Sequence, residues 1–334
     1  MRMLQKGLMF WILGVILLVG AGISLISGCR AKQAPETTLT FLLDWKGGPY
    51  HAGFFVADAK GFYKDEKLKV SFEEASGAAQ AATIIGQGKY SIGLATGDSV
   101  LMAVEKGANI ISVATIYQRN PVVVFSLEAS PITKPEDLVG KKVGIPLESI
   151  AYKEFLAFIK KVGLDQTKIE IVGVGFDTSP LLSKQVDALV GYGNNAAVQI
   201  EAKGQKIQRL HLADYGVNPY GSVIICNKDF LAGNRETVKR FVRAALRGWE
   251  AMAQNPDEAV ELFLQNRQGH DRNFAKLSVA ATKPLLYPIK DDAAFRIGHQ
   301  YPERWMQTRD VLVEVGLIKG EGDLATLYTN ELLK

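Results

Sequence analysis

Residues 39–60 read LTFLLDWKGGPYHAGFFVADAK, in which a strand-like run from Leu39 to Leu43 precedes a helical stretch from Tyr50 to Lys60. The alternation returns at once, with a strand around Leu68 to Phe72 and a helix from Ala78 to Gly86. A chain that alternates strand and helix in this way packs helices in layers against a sheet. The stretch therefore predicts an α/β fold.

A turn-rich break divides the alternating region in two. Ser130 to Pro135 reads SPITKP and precedes a short helix and a new strand. We interpret this break as the crossing into a second lobe that covers 128–221, with the first lobe formed by 38–127 and 222–334. Two such lobes enclose a cleft, where ligands commonly bind, and hinge closure around the ligand is a common motion.

After Asn227 the sequence becomes helical, which predicts a set of C-terminal helices that close the first lobe. The stretch from Arg235 to Gln254 carries apolar residues at the 3.6-residue spacing of a helix with one buried face. Asn255-Pro256 ends that helix. Further helices are predicted over Asp257 to Leu264, Asn273 to Thr282 and Ala293 to Val315.

The start of the chain has the features of an export segment. Two basic residues precede an apolar stretch from Gly7 to Gly28. Ile26-Ser27-Gly28-Cys29 resembles the lipobox of bacterial lipoproteins, so we predict a signal peptide over 1–28, lipidation of Cys29 and a polar tether over 29–37. The alternative is an uncleaved membrane-spanning helix. Either arrangement would hold the folded body at the extracytoplasmic face of the cell membrane.

Charge, cysteine and histidine counts narrow the function classes. The net charge of +4 includes Arg2 and Lys6 of the predicted signal peptide, and the +2 that remains without them is too close to neutral to suggest a nucleic-acid partner. With Cys29 assigned to lipid, Cys226 has no partner for an intrachain disulfide, and its apolar neighbours predict a buried strand residue. The four histidines are scattered, so neither a metal site nor a cofactor is expected.

Polar and aromatic side chains follow the first predicted strand. Asp44 and Trp45 end that strand, and Tyr50 and His51 begin the next helix. In an α/β sheet, residues at these positions point into the binding crevice. We therefore predict that they contact a ligand, although Trp45 could instead be a core residue and His51 could bond locally at the helix start.

The run Thr96-Gly97-Asp98-Ser99 repeats this geometry after a predicted strand from Ser91 to Leu94. Asp98 or Ser99 can cap the following helix. Free backbone N–H groups at such a helix start can meet a ligand carbonyl or anion. The run is a second candidate part of the binding site.

Other candidates lie at predicted loops or element edges in both lobes. Aromatic faces bind planar rings by stacking, and carboxyl and amide groups supply directional hydrogen bonds. No pair of arginines marks an anion clamp, since Arg119 is isolated. Tyr117 could instead be a hinge contact. The candidates are Tyr117, Gln118, Glu148, Tyr152, Tyr192, Asn194 and Asn195.

The chain carries a series of short motifs: Asp44-Trp45, His51-Ala52-Gly53-Phe54, Lys60-Gly61-Phe62-Tyr63, Gly86 to Gly93, Ala95 to Ser99 and Asp137 to Gly144. As a set they resemble the thiamine-pyrimidine synthesis/NMT1-like solute-binding family over nearly everything from Thr38 onward. The resemblance implies a two-lobed periplasmic-binding-protein fold of type II with an interlobe ligand cleft. It also implies a ligand that is often a planar nitrogen heterocycle, although relatives also carry sulfonates or nitrate.

These features together predict a monomeric solute-binding component of an ABC importer, with permease and ATPase subunits as partners. Riboflavin is favoured as the ligand, because Gly175, Gly191 and Gly193 leave backbone-lined space and the polar side chains exceed what a lone pyrimidine needs. A thiamine pyrimidine precursor is the alternative. One branch of the family makes that pyrimidine with a histidine and a cysteine-rich motif. This chain lacks the cysteine-rich motif and has the features of an export segment, so we predict that it is not an enzyme. A sensor domain with the same fold is a further alternative.

Overall fold

Two five-stranded sheets organise the residues that the computed structural model describes, 36–288 and 295–334. The first sheet contains β1 (Thr37–Leu43), β2 (Leu68–Glu74), β3 (Ile92–Ala95), β4 (Ile110–Tyr117) and β10 (Ser222–Asn227). Their order is β2-β1-β3-β10-β4, and β10 runs antiparallel to β3 and β4. The carboxyl ends of the parallel strands therefore lie at the same end of the sheet as the start of β10.

The second sheet has the same plan. It contains β5 (Val122–Leu127), β6 (Lys142–Ile145), β7 (Glu170–Gly173), β8 (Ala188–Tyr192) and β9 (Ile207–His211). Their order is β7-β6-β8-β5-β9, with β5 antiparallel to β8 and β9. We define each lobe as the elements around one sheet. In each sheet, the single antiparallel strand comes directly after a crossing between the two lobes.

The first lobe does not extend to residue 127 as predicted. Strand β5 forms hydrogen bonds with β8 and β9 in the second sheet, so the chain crosses at 118–121, before β5. The SPITKP segment is a turn inside the second lobe, and its proline-rich sequence was mistaken for the crossing. The actual crossing is short and is held by side-chain bonds: Asn120 N donates to Asn218 Oδ1 at 2.8 Å, which places the outward and return crossings side by side.

Helices cover the sheets of both lobes. In the first lobe these are α1 (Ala52–Ala59), α2 (Phe62–Asp65), α3 (Ala78–Gly86) and α4 (Gly97–Glu105). The second lobe has α5 (Ile150–Lys161), α6 (Ser179–Leu182), a π-helical turn at Gly193–Ala197 and α7 (Val198–Ala202). The tail has α8 (Lys228–Gln254), α9 (Pro256–Asn266), α10 (Arg272–Thr282) and α11 (Pro302–Glu314).

Helices α1 and α8 pack closely over the first sheet. The Phe41 ring of β1 lies 4.8 Å from both Phe54 of α1 and Phe241 of α8, measured between centroids. The helices approach so closely that a Cβ added at Gly248 would lie 2.2 Å from the carbonyl oxygen of Gly53. Glycine at these positions is therefore what allows the predicted apolar stripe of α8 to reach the core.

Two predictions for the tail and the second lobe need correction. The last long helix begins at Pro302, not at residue 293; residues 289–294 lie outside the described part, and Thr115 N of β4 bonds to Gly298 O at 3.0 Å. This pairing to the sheet edge outweighs the apolar spacing that suggested helix. Strand β9 was missed because its sequence, IQRLH, is mostly polar and only half-buried at the sheet edge.

Helix α10 belongs to the tail in sequence but contacts the second lobe. Ser278 Oγ donates to the carbonyl oxygen of Asn194 at 2.6 Å, and Asn194 Nδ2 donates to Thr282 Oγ1 at 3.0 Å. The tail therefore closes the first lobe and also joins it to the π-helical turn of the second.

Candidate ligand-binding site

A cavity of about 610 Å³ lies between the two lobes, within the volume range of small-molecule sites. In the first lobe it is bordered by the loop after β1 and by the segment that leads into α3. In the second lobe it is bordered by the loops after β6, β7 and β8. These are the carboxyl ends of parallel strands, where an open α/β sheet forms its crevice.

Ten of the predicted site residues border this cavity, and they come from both lobes. Sequence position predicted this grouping because each follows a strand or begins a helix. Their contact with a ligand stays a prediction. The ten are Asp44, Trp45, Tyr50, His51, Ser99, Tyr117, Glu148, Tyr192, Asn194 and Asn195.

Thr96, Gly97 and Asp98 do not border the cavity. The Thr96 hydroxyl donates to the Asp98 carboxylate, which also accepts from Ser99 N at 2.7 Å. Gly97 N donates to the carbonyl oxygen of Tyr220 at 2.8 Å. The polar groups of Thr96 and Gly97 are thus engaged within the protein, and Ser99 is the member of the run that reaches the cavity.

Gln118 and Tyr152, which were also predicted to contact the ligand, do not border the cavity either. Gln118 Nε2 donates to the carbonyl oxygen of His299 at 2.7 Å, so this side chain ties the crossing to the tail. Tyr152 lies in the first turn of α5 and is half-buried against the hydrophobic core of the second lobe. Helical rotation directs residues two apart to different sides, which separates Tyr152 from the neighbouring lining residue Ile150.

The loop after β1 is held by its own side chains. His51 Nε2 lies 2.9 Å from Asp44 Oδ1, and Tyr50 Oη donates to the carbonyl oxygen of Lys46 at 2.8 Å. Tyr117 Oη donates to the carbonyl oxygen of Tyr50. Burial, reinforced by the negative charge of Asp44, raises the pKa of Tyr50 and of Tyr117, so both phenols remain protonated hydrogen-bond donors.

Asn194 provides an unpaired acceptor at the buried end of the cavity. Its Nδ2 donates to Thr282 Oγ1 at 3.0 Å and to Tyr117 Oη at 3.3 Å. Its Oδ1 is buried and has no hydrogen-bond partner among the described residues. A buried polar atom of this kind is costly unless something donates to it, and a ligand N–H group can do so.

Two helix starts that border the cavity were not predicted from the sequence. Ser76 to Ala79 lead into and begin α3, and Ser149 to Ala151 begin α5. Backbone N–H groups at a helix start favour a carbonyl or anionic oxygen. The same rule that selected the residues after β1 and β3 would have selected these, because they follow β2 and β6.

An aromatic contact crosses the mouth of the cavity. Phe176, in the loop after β7, lies with its ring centroid 5.0 Å from that of Trp45 in the loop after β1. Phe176 was also missed by the sequence analysis, as were His270 and Phe274 of the tail, which border the cavity. The tail residues have no signal in the sequence, because they approach through tertiary packing alone.

Two buried carboxyl groups meet beside the crossings, outside the main cavity. Asp98 of the first lobe is 1% exposed and Glu154 of the second is 5% exposed. Asn120 Nδ2 donates to Glu154 Oε2 at 2.7 Å. Burial, and then the nearby charge of Asp98, raise the pKa of Glu154 well above its usual range, so Glu154 is the protonated member of the pair.

Residues 36–288 and 295–334 contain neither a candidate metal cluster nor a candidate membrane-spanning helix. This part of the chain has no cluster of three or more His, Cys, Asp or Glu residues suited to a metal ion. In the same residues no helix has the length and apolar character needed to cross a membrane. Cys29 and the predicted signal peptide and tether up to Pro35 lie outside the described residues.

Residues 48–259 match the family model described as NMT1/THI5 like, which is more than half of the chain. The chain belongs to the NMT1/THI5-like family. Its fold resembles that of the periplasmic aliphatic sulphonate binding protein SsuA from Escherichia coli, with a TM-score of 0.68 and 17% identity, covering 88% of this chain and 92% of that one. The predicted fold and family are thus confirmed.

Relatives in the NMT1/THI5-like family carry different names. The riboflavin-binding protein RibY of Chloroflexus aurantiacus is 29% identical, covering 84% of this chain and 82% of the relative. A formylaminopyrimidine-binding protein of Halalkalibacterium halodurans is 28% identical, covering 80% of each. A 4-amino-5-hydroxymethyl-2-methylpyrimidine phosphate synthase of Legionella pneumophila is 28% identical, covering 70% and 75%.

Proposed function

We propose that this protein is the solute-binding component of an ABC importer and that it captures a planar heteroaromatic solute, with riboflavin favoured. The observation that carries the proposal is the interlobe cavity of about 610 Å³, which combines aromatic side chains with buried hydrogen-bonding groups. Trp45, Tyr117 and Tyr192 supply ring faces for stacking. The names of the two binding-protein relatives support the same class of ligand.

The polar groups of the cavity suit a ring that carries both N–H and C=O groups on one edge. Asn194 Oδ1 would accept from a ring N–H, and the backbone N–H groups that begin α3 and α5 would donate to ring carbonyls. The ligand would bind to one lobe and the second lobe would rotate over it. Affinity would come from the buried ring area and a few satisfied hydrogen bonds.

A thiamine pyrimidine precursor is the alternative ligand, supported by the formylaminopyrimidine-binding relative. We favour binding without chemical conversion. The chain has two cysteines, Cys29 and Cys226, and so lacks the cysteine-rich motif of the pyrimidine-forming branch of the family. Cys226 is buried in β10, and burial raises the pKa of its thiol to about 12, which leaves it without the thiolate that a nucleophile needs.

The proposal includes a lipid anchor at Cys29 and a place on the extracytoplasmic face of the membrane. It also includes a permease and an ATPase as partner subunits and a monomeric binding protein, since the two lobes of one chain form the whole cavity. Radiolabelled palmitate incorporation, compared with Cys29→Ser, tests the anchor. Labelling that survives this substitution would contradict it.

Titration with riboflavin, followed by the quenching of flavin fluorescence, tests the ligand. We expect saturable binding of one flavin per chain, and mass spectrometry should recover the flavin unchanged. Calorimetric titration with formylaminopyrimidine is the second arm. Binding of the pyrimidine alone would favour the alternative, a chemically altered ligand would favour an enzyme, and binding of neither would overturn the proposed ligand class.

A further inference from the structure

The cavity has two chemically different ends. At the inner end lie the buried side chains of Ser99, Tyr117, Asn194 and Ser222, contributed by both lobes. At the mouth lies the aromatic pair formed by Trp45 and Phe176, which we call the rim. A ligand that contacts both groups of residues must extend across the cavity, whereas a smaller ligand can be held by the buried polar groups alone.

Phe176 borders the cavity as a largely exposed aromatic side chain. It is 62% exposed, and its described ring contact is with Trp45, with centroids 5.0 Å apart and planes tilted by 48°. A large apolar side chain held at the mouth of a cavity is typical of a binding surface. The loop that carries it is fixed nearby, because Asp177 Oδ1 accepts from Ser179 N at 2.9 Å.

We propose that the rim determines specificity by selecting ligands long enough to reach from the inner end of the cavity to Phe176. The inference rests on the proposed function and adds the residue that distinguishes a fused tricyclic ring system from a single ring. A tricycle anchored by its polar edge at the inner end places its far ring against Phe176 and Trp45. A single ring anchored at the same groups leaves the rim unoccupied.

The charges at the mouth are consistent with selection by length and ring contact. Lys46, Glu148 and Asp177 are exposed there, so solvent screens them and they provide no deep charged pocket. The apolar far ring of a long ligand would instead be dehydrated by Phe176. The expected gain from one aromatic contact is about tenfold in affinity.

The test compares riboflavin and formylaminopyrimidine on the wild-type protein, on Phe176→Ala and on Met306→Ala. Met306 is exposed like Phe176 but does not border the cavity, so it is the matched control. We expect Phe176→Ala to raise the Kd of riboflavin about tenfold. The Kd of the pyrimidine should be unchanged, and Met306→Ala should alter neither.

The outcomes distinguish a failure of the rim hypothesis from a failure of the proposed function. Equal losses for both ligands, or no loss for riboflavin, would overturn selection by the rim and leave the proposed function standing. A wild-type protein that binds the pyrimidine but not riboflavin would overturn the preference for long ligands. Binding of neither ligand by the wild type would overturn the proposed function and the rim with it. Thermal unfolding of Phe176→Ala at the wild-type temperature would confirm that the fold is intact.

Discussion

Glu154 and Asp98 show how one residue can mislead a sequence-based prediction. Asp98 follows a strand and begins a helix, as a ligand contact should, yet its carboxylate lies against Glu154 of the other lobe. The sequence could not reveal this partner, because residues 98 and 154 are brought together only by the packing of the two lobes. The pair makes the boundary between the lobes sensitive to protonation.

Protonation of Glu154 predicts a pH-dependent stability. Its pKa is raised in the folded state, so the contribution is fully present below the unfolded pKa, about 4.3, and is lost as pH rises through the folded pKa. In Glu154→Gln, which is always neutral, the part of this loss that Glu154 contributes should be absent, while Asp98, whose pKa burial also raises, still titrates. Each unit by which the folded pKa is raised corresponds to about 1.4 kcal/mol of unfolding free energy.

Chemical denaturation at a series of pH values measures this effect. The control is Glu148→Gln, which removes an exposed carboxylate and measures the effect of the same substitution away from the buried pair. A wild-type slope that persists in Glu154→Gln would contradict the assignment of the proton to Glu154.

Trp45 and Tyr192 were predicted to stack on a ligand, and both border the cavity. Trp45→Ala and Tyr192→Ala should each weaken riboflavin binding by about 1–3 kcal/mol. Trp45→Phe and Tyr192→Phe keep a ring face and should recover most of the loss. Fluorescence titration measures all four variants, and unchanged affinity in both alanine variants would disprove the stacking assignment.

At the scale of elements, the sequence predicted most strands and helices because each has a clear apolar pattern. Leu39 to Leu43 is an apolar run, and Arg235 to Gln254 has one apolar face. The failures have physical causes. The predicted helix from 293 overlaps a segment that pairs with an edge of the first sheet, and β9 is a polar edge strand. Pairing partners distant in the chain leave no local signal.

The close contact of α1 and α8 gives an element-scale prediction. In Gly248→Ala the new Cβ would lie 2.2 Å from the carbonyl oxygen of Gly53, so the helices must separate. We expect a loss of about 1–3 kcal/mol in the free energy of unfolding, typical of overpacking.

Gly233 is the control, because it is exposed and a Cβ there would meet nothing within 4 Å; it lies directly before the kink at Asn234, at the end of a helical segment. Gly233→Ala should change the free energy of unfolding by no more than about 0.5 kcal/mol. Urea denaturation of both variants measures the difference. Equal effects at the two positions would show that close packing at Gly248 is not required.

At the scale of the whole molecule, the sequence predicted two α/β lobes and a cleft, and the comparisons confirm the fold. It misplaced the outward crossing because the four residues at 118–121 form no distinct pattern, whereas the turn at Ser130 to Pro135 does. It also could not predict that α10 contacts the second lobe. Thus the sequence predicted lining residues after β1, β3 and β8 but neither the starts of α3 and α5 nor the tail residues His270 and Phe274.

A ligand that contacts both lobes should stabilise the protein as a unit. Riboflavin at about 100 times its Kd should add about 2.7 kcal/mol to the free energy of unfolding. Differential scanning calorimetry should therefore record a rise of a few degrees in Tm, increasing with ligand concentration. A Tm that is independent of saturating riboflavin would contradict binding to the native state.

The position of β10 has a consequence for the order in which the two sheets can form as the chain emerges. The second sheet has all its strands once β9 ends at His211, whereas the first sheet lacks an interior strand until Asn227 has emerged. The N-terminal lobe therefore stays an incomplete sheet until every strand of the second lobe is available. We expect the second lobe to mature first, against the usual N-terminal-first order.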